Sequence, residues 1–530
     1  MLWVFLVALL SPIFASSSPA AEFIVDIRDC GARPGGKTMC TEAIQKAVDR
    51  CAAKGGGTVR LPAGTWLSGT VYLKSRVTLL LEEGCTLLGS RDIKHYGGPP
   101  ATAGKESAQS DFRYPALIAG SKLEDVAIRG KGTLDGQGDA YRYKHGKRPK
   151  NVYLVDCRNV LIENVKMRNA GCWMQHYRFC DGLTIRGINV FNHVTYNNDG
   201  LNVDSCSNVR IADCRVDSDD AGIVLKSLST RPCENVAITN CTISSHCNAI
   251  KMGTESGGGF QKITVDNCTV FSPRHSKKIY GRQRGLAGVA LEIVDGGRLE
   301  DVEVTDVTID GVSVPIFMRL GNRARRYSKD KSKPGVGTFR NVRIENITAT
   351  NTSEIGCSIT GLPGHRIENV SLSNIKLGFD GGGVRETASK KIAEKPENYP
   401  ESTMFGVLPA YGFFCRHAKG LKFHNIKLET AKPDLRHAMV FDDVEQMEID
   451  SLDAACVEGA AATIRLNQVR QVLIRGCKPP KTANPFLKLE GDATRQVVLK
   501  ENDFARAAKI VELGPDVPKD AFRQDANQRP

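Results

Sequence analysis

Five aspartates crowd one short stretch of the chain: Asp199, Asp204, Asp217, Asp219 and Asp220. Two carboxyl groups set close together can divide the work of glycoside cleavage. One, held protonated, gives its proton to a leaving oxygen, while an ionised partner activates water. Mutual repulsion raises the pKa of one member, the direction an acid needs. Asp199 and Asp220 stand 21 residues apart. That is close to the period of the repeat described next, so they project from neighbouring coils on nearly the same side. Aspartates are also common in exposed β-turns, and spacing alone leaves that reading open.

The elements that must position these residues are repeats. The phrases NVRIADCRV, NVAITNCTI and KITVDNCTV place Cys214, Cys241 and Cys268 at 27-residue intervals, each directly after Asp213, Asn240 or Asn267. A polar or small residue recurs in the same frame at Gly130, Asn164, Gly187, Asp213, Asn240, Asn267, Asp306, Asn346, Asn374, Asn425, Ser451 and Gly476. Most steps are 23 to 28 residues, and longer steps before Asn164, Asp306, Asn346 and Asn425 mark loop insertions. Apolar residues alternate within each unit, as at Val209 and Ile211 or Val236 and Ile238. This is strand periodicity, not helix periodicity. A single unit has too little apolar surface to fold alone, so units must stack, strand beneath strand, at about 4.8 Å per coil. Asn suits the corner because it tolerates the left-handed turn and its amide can bond to the Asn of the next coil. The expected fold is therefore all-β, a single parallel β-helix. A propeller would need a longer period, and a leucine-rich solenoid its own Leu-x-x-Leu-x-Leu phrase.

Ahead of the repeats, Ala43, Ile44, Ala47 and Val48 lie at helical spacing behind Thr41 as a candidate N-cap, and Gly55 to Gly57 stop the helix. Such a helix could cap the open end of the stack, where unpaired edges invite aggregation. Residues 515–530 are polar and Pro-containing and read as a loose C-terminal tail, leaving residues 22–514 as the β-helix domain.

Composition narrows the partner. The chain is 41% hydrophobic and 25% charged, which argues against wholesale disorder and a polytopic membrane protein. A net charge of +13 suits an anionic partner. The basic residues are dispersed, with no stretch interleaved with aromatics, so nucleic acid is not expected. Residues 1–21 are uncharged, apolar from Leu2 to Leu10 and small near Ala15 to Ala21, the pattern of a cleaved secretory signal. The run is short for a membrane span, and the mature chain is expected to be secreted or periplasmic, off the membrane and monomeric. Seventeen cysteines without a CxxC pair read as stacked buried thiols, not a zinc site or a disulfide framework.

Three segments carry a resemblance: DCGARPGGKTMCTEAIQKAVDRCAAKGGGTVRLPAGTW, then GKGTLDGQG at Gly130 to Gly138, then NNDGLNVDSCSNVRIADCRVDSDDAGIVLKS at Asn197 to Ser227. Together they resemble the pectin-degrading polygalacturonases of glycoside hydrolase family 28, in order over roughly residues 23 to 505. The resemblance implies a right-handed, pectin-lyase-like parallel β-helix, inverting hydrolysis of galacturonate-type bonds, and no metal or other cofactor. It places the aspartate of the family's Asn-Thr-Asp segment on Asp199. Laying GIVLKS over the family's strand without gaps puts the general acid, the first of an Asp-Asp pair, on Asp220. The second Asp falls on Ala221, so that carboxylate is missing from its column unless Asp219 reaches in by a one-residue slip.

Two further motifs depart. The family's Gly-His-Gly histidine falls on Asn248, with His246 two residues earlier as either a site residue or a strand-end histidine. Its Arg-Ile-Lys segment, which holds the substrate carboxylate, falls on Ala290, Leu291 and Glu292. A glutamate there repels a uronate by roughly 4 kcal/mol at about 4 Å and an effective dielectric near 20. Either the sugar is not a plain galacturonate, or cations such as Lys251, Arg282 and Arg284 hold its carboxylate. Glu292 and Asp295 either bind sugar hydroxyls, supply the missing carboxylate, or face solvent in a turn. Trp173 and His176 resemble the family's Trp-x-x-His phrase and are candidate groove residues, the alternative being core. The segment Glu397 to His417 offers Tyr399, Phe405, Tyr411 and Arg416 for stacking on or holding a sugar, with Phe413 and Phe414 as packing. Loops that wall one end of a groove favour exo-action.

The expectation is an exported glycosidase, exo-acting, on an acidic polysaccharide of the plant cell wall. A polysaccharide lyase and a non-catalytic glycan-binding β-helix remain as alternatives, the latter because of Ala221.

Overall fold

The computed structural model describes residues 23–97, 115–142, 147–273, 278–327, 332–479, 482 and 484–528. The expected leader, residues 1–21, lies outside them. Thirty-seven strands among the described residues form one continuous sheet system, and each strand pairs in parallel with its counterpart one coil on. The chain winds as a right-handed parallel β-helix with one α-helix among the described residues, α1 (Thr41–Ala53), over its N-terminal end.

Register keeps the inward residues of successive coils in line. One apolar column runs Val160, Leu183, Val209, Val236, Ile263, Val302, Val342, Val370, Leu421, Met447, Val472 and Val497, every member buried. Burial of each such side chain contributes about 1.5–3 kcal/mol, and because a column is shared by adjacent coils no coil can bury its own face alone. The cysteines join this interior: all seventeen are free thiols, and only Cys30 and Cys456 are not buried.

All twelve repeat positions have positive φ, from 49° at Asn267 to 117° at Gly130. This is the conformation that Gly adopts freely and Asn, Asp and Ser tolerate at modest cost. The amides form a ladder along the outside: Asn240 Nδ2 donates to Asp213 Oδ1 at 3.3 Å, Asn267 to Asn240 at 2.8 Å, and Asn374 to Asn346 at 3.0 Å.

Two details at the ends differ from expectation. The N-cap of α1 is Cys40, with no side-chain cap; Thr41 is the first helical residue, and its Oγ1 accepts from Gly69 N at 2.7 Å, tying the helix to the first coil instead. Residues 515–530, expected as a loose tail, contain the strand Phe522–Asp525, which pairs with Arg495–Lys500 and so continues the stack.

The segment expected to be a loop from Glu397 to His417 is a loop only in its first part. From Ala410 it becomes the strand Ala410–Lys432. Residues 382–409 fold back over the outward face of the coils that follow the aspartates. Ser402 Oγ donates to Leu286 O at 2.8 Å, and Met404 packs on Ala287, Ala290, Val314 and Phe317. Arg319 and Arg416 grip the same segment through the carbonyls of Glu394, at 2.7 Å, and Ile392, at 2.6 Å.

Candidate active site

The strands Leu201–Asp204, Ile223–Ser227 and Asn248–Ser256 pair with Leu201 opposite Ile223 and Ile223 opposite Ile250. Counting back two residues puts Asp199, Ala221 and Asn248 in one column, and His176 opposite Asn202 adds Trp173 to it. The backbone bonds Gly200 N to Ala221 O and Gly222 N to Asn248 O, both 2.9 Å, hold this alignment. Asp220 emerges from the turn one position earlier. Asp219 does not slip into the column: Ala221 occupies it.

Asp199 is 2% exposed. Its Oδ2 lies 3.8 Å from Lys226 Nζ, and its Oδ1 is buried with no hydrogen-bond partner among the described residues. Burial, reinforced by the neighbouring Asp220 carboxylate, pushes the Asp199 carboxyl well above its ordinary range, against the pull of Lys226. Asp220 is partly open; its Oδ1 accepts from Ala221 N at 2.8 Å, and Asn197 Nδ2 lies 3.5 Å from Oδ2.

Around the pair lies a shell of buried charge. Lys226 also bonds Glu255 at 3.0 Å, and Arg323 stands 3.7 Å from Glu255. Burial pushes Glu255 up, but Lys226 and Arg323 prevail and bring it to about 2. Lys251 Nζ is 3.4 Å from Glu292 Oε2, which also accepts from Thr254 Oγ1 at 2.9 Å. Burial holds Glu292 up at about 7 despite Lys251. Glu292 thus points into the protein, engaged by Lys251, and the solvent-facing alternative is set aside.

Glu401 reaches the same place from the insertion. Its Oε2 accepts from Asn248 Nδ2 at 3.3 Å, one step along the column from Ala221. Burial raises its carboxyl, with Lys251 opposing and Asp220 adding to the rise. Tyr399, 45% exposed, lies under Lys251 and Arg323, whose cationic groups are 5.3 and 5.7 Å from its ring centroid. The sequence reading named the aromatics of this insertion and missed Glu401, as it missed Lys226, Glu255 and Arg323. The acids interleaved with the aromatics in ENYPESTMFG were the available signal.

Other candidates lie elsewhere. Asp219 accepts from Ile279 N at 2.6 Å and Tyr280 N at 2.8 Å, and stands with His193 and His246. Asp295 is held by Arg323 and Tyr327. Trp173 is buried against Lys226 and Lys150, whose ammonium groups lie 4.7 and 4.8 Å from its ring, so it floors the site. His176 is fully buried between Lys150, at 2.8 Å, and Asp204, at 3.2 Å, which makes it core. Tyr411 is core as well, donating to Ala455 O at 2.6 Å, and Arg416 clamps the insertion. Phe405 and Phe414 pack together beneath the insertion, and Phe413 joins the main core. Arg282 contributes its carbonyl to His246, and Arg284 pairs with Asp380.

Comparison with known proteins bears on this arrangement. The model of "Glycosyl hydrolases family 28" matches residues 51–398. The chain is 36% identical over 212 residues to a "Probable polygalacturonase" of Vitis vinifera, covering 38% of this chain and 43% of that one. It is 34% identical over 131 residues to the "Exo-poly-alpha-D-galacturonosidase" of Dickeya chrysanthemi, 23% of this chain and 21% of that one. The matches therefore span less than half the length of these relatives. Among solved structures, a hyperthermoactive exopolygalacturonase from Thermotoga maritima superposes with a TM-score of 0.60 at 21% identity, over 77% of this chain and 92% of that one. A polygalacturonase from Erwinia carotovora ssp. carotovora gives 0.53 at 22%, over 69% and 96%.

Proposed function

Since this chain belongs to glycosyl hydrolases family 28, we propose that it is an exported glycosidase that cleaves galacturonate-containing polysaccharide by inversion, with Asp199 and Asp220 as its central pair. The observation that carries the reading is the pair itself: a buried and a partly open carboxyl on neighbouring rungs, one of them held up by burial and by the other's charge. Asp220, the member open to the groove, is the acid that protonates the leaving oxygen. Asp199, then ionised beside Lys226, orients the attacking water.

Ala221 leaves room where the family has its second water-activating carboxylate. Glu401, bonded to Asn248 in the next position of that column, supplies the replacement. Its raised pKa brings it nearer the working range of a general base. The substrate carboxylate is met by Lys226 and Lys251 in place of the family's Arg-Ile-Lys segment. Because Glu255 already compensates the Lys226 ammonium, and Glu292 that of Lys251 once it ionises, the site tolerates a uronate without demanding one at every subsite. Residues 382–409 wall the groove beyond Asn248, which favours release from chain ends.

Product analysis of the purified mature protein on homogalacturonan, rhamnogalacturonan and neutral glycans tests this. New reducing ends in short products, without an absorbing unsaturated sugar, support the reading. An unsaturated product would establish a lyase, and binding with no product from any substrate would establish a glycan-binding β-helix.

A further inference from the structure

Asp219, His193 and His246 play no part in the reaction proposed above, yet they are built into one cluster. One ligand atom from each lies within 4.8 Å of the others, and all three residues are buried. A divalent ion bonded at about 2.0–2.1 Å separates its ligands by roughly 3.3–4.2 Å, so small side-chain rotations close the set. The imidazoles meet edge to face, with centroids 5.6 Å apart.

A second observation concerns the other ring nitrogens. His193 Nε2 is 2.8 Å from Asp217 Oδ1, and His246 Nδ1 is 2.8 Å from the carbonyl of Arg282. A carboxylate and a carbonyl only accept, so each of these nitrogens carries a proton, and the neutral form of each ring has its lone pair on His193 Nδ1 or His246 Nε2. A metal-binding histidine is commonly held this way, with one nitrogen donating to a carboxylate or carbonyl and the other presented to the ion. Asp219 accepts one backbone N–H at each oxygen and retains lone pairs on both.

We propose that His193, His246 and Asp219 form a binding site for one late first-row divalent cation, zinc being the representative. Two imidazoles and one carboxylate suit zinc far better than calcium or magnesium, which take all-oxygen shells. The ion ties the turns of three successive rungs to the segment Ile279–Arg282, which borders the groove beside Asp220, and so has a structural role. The inference does not rest on the proposed hydrolysis.

The test is calorimetric titration of the EDTA-stripped full chain with zinc chloride, and separately with calcium chloride, alongside thermal melts. The expected result is one zinc per chain, a raised Tm with zinc and no calcium isotherm. His193→Gln and His246→Gln should abolish the isotherm and the zinc-dependent rise in Tm while melting cooperatively without metal. Asp217→Asn should weaken zinc about 10- to 100-fold through the lost outer contact. Absence of zinc binding in the wild type, or stoichiometric binding that survives in both histidine variants, overturns the proposal.

Discussion

Along the amide corner, Asp213, Asn240 and Asn267 follow one another in the same left-handed region, φ 57°, 53° and 49°, and with the same kind of bond from rung to rung. Along the groove, the column Trp173, Asp199, Ala221, Asn248 changes chemistry at every step. The first column has only to stack, and one residue type solves that problem at each coil. The second must place an aromatic floor, an acid, a gap and an amide in sequence, and it recruits Glu401 from more than 150 residues away to finish the job. Repetition marks the part of the molecule that is scaffold, and its interruption marks the part we propose does the chemistry.

Substitutions should separate the two regions. The largest effect belongs to the groove: Asp220→Asn should lower kcat about 10²- to 10⁴-fold, the usual contribution of a positioned acid, with an unchanged Tm. A loss of Tm instead would make Asp220 scaffold. Next comes the core behind both columns. Ile238→Ala should cost about 2–5 kcal/mol in denaturant unfolding, and a cost under 1 kcal/mol would mean that the coils are not tightly shared.

Glu292 gives an intermediate effect with a defined pH dependence. Its folded pKa of about 7 lies above the ordinary 4.5, so the folded state holds a proton that the unfolded chain releases. Its contribution to stability is full below about pH 4.5 and is lost as pH rises through about 7. Glu292→Gln stays neutral, so its unfolding free energy should gain on wild type steadily between those values, by up to about 3 kcal/mol. A pH-independent difference would contradict this. The smallest effect belongs to the ladder. Asn267→Ala loses one amide bond and strains a left-handed residue, a cost of about 1–2 kcal/mol with kcat unaffected. A fall in kcat would dissolve the distinction between the regions.

The same contrast explains how much could be read from the sequence. The period, the strand alternation and all twelve corner residues were legible because each obeys one local rule repeated many times. Asp199 and Asp220 were legible because their spacing nearly matches that period. Glu401 was not, because nothing local in a proline- and tyrosine-bearing insertion says which rung it will touch. Tyr411 and Arg416 were misplaced for a related reason. The insertion ends at Ala410, where the chain resumes the strand alternation, so Tyr411 turns into the core and Arg416 holds the loop from below. His176 follows the family's phrase by residue type, but Lys150 and Asp204 enclose it.

The proposed hydrolysis requires that a loop carboxylate stand in for the one missing at Ala221. Steady-state kinetics of Glu401→Gln on whichever acidic polysaccharide the wild type hydrolyses asks this directly. The predicted result is a fall in kcat of about 10²-fold or more with KM and Tm near wild type. A variant that turns over as fast as wild type would contradict it.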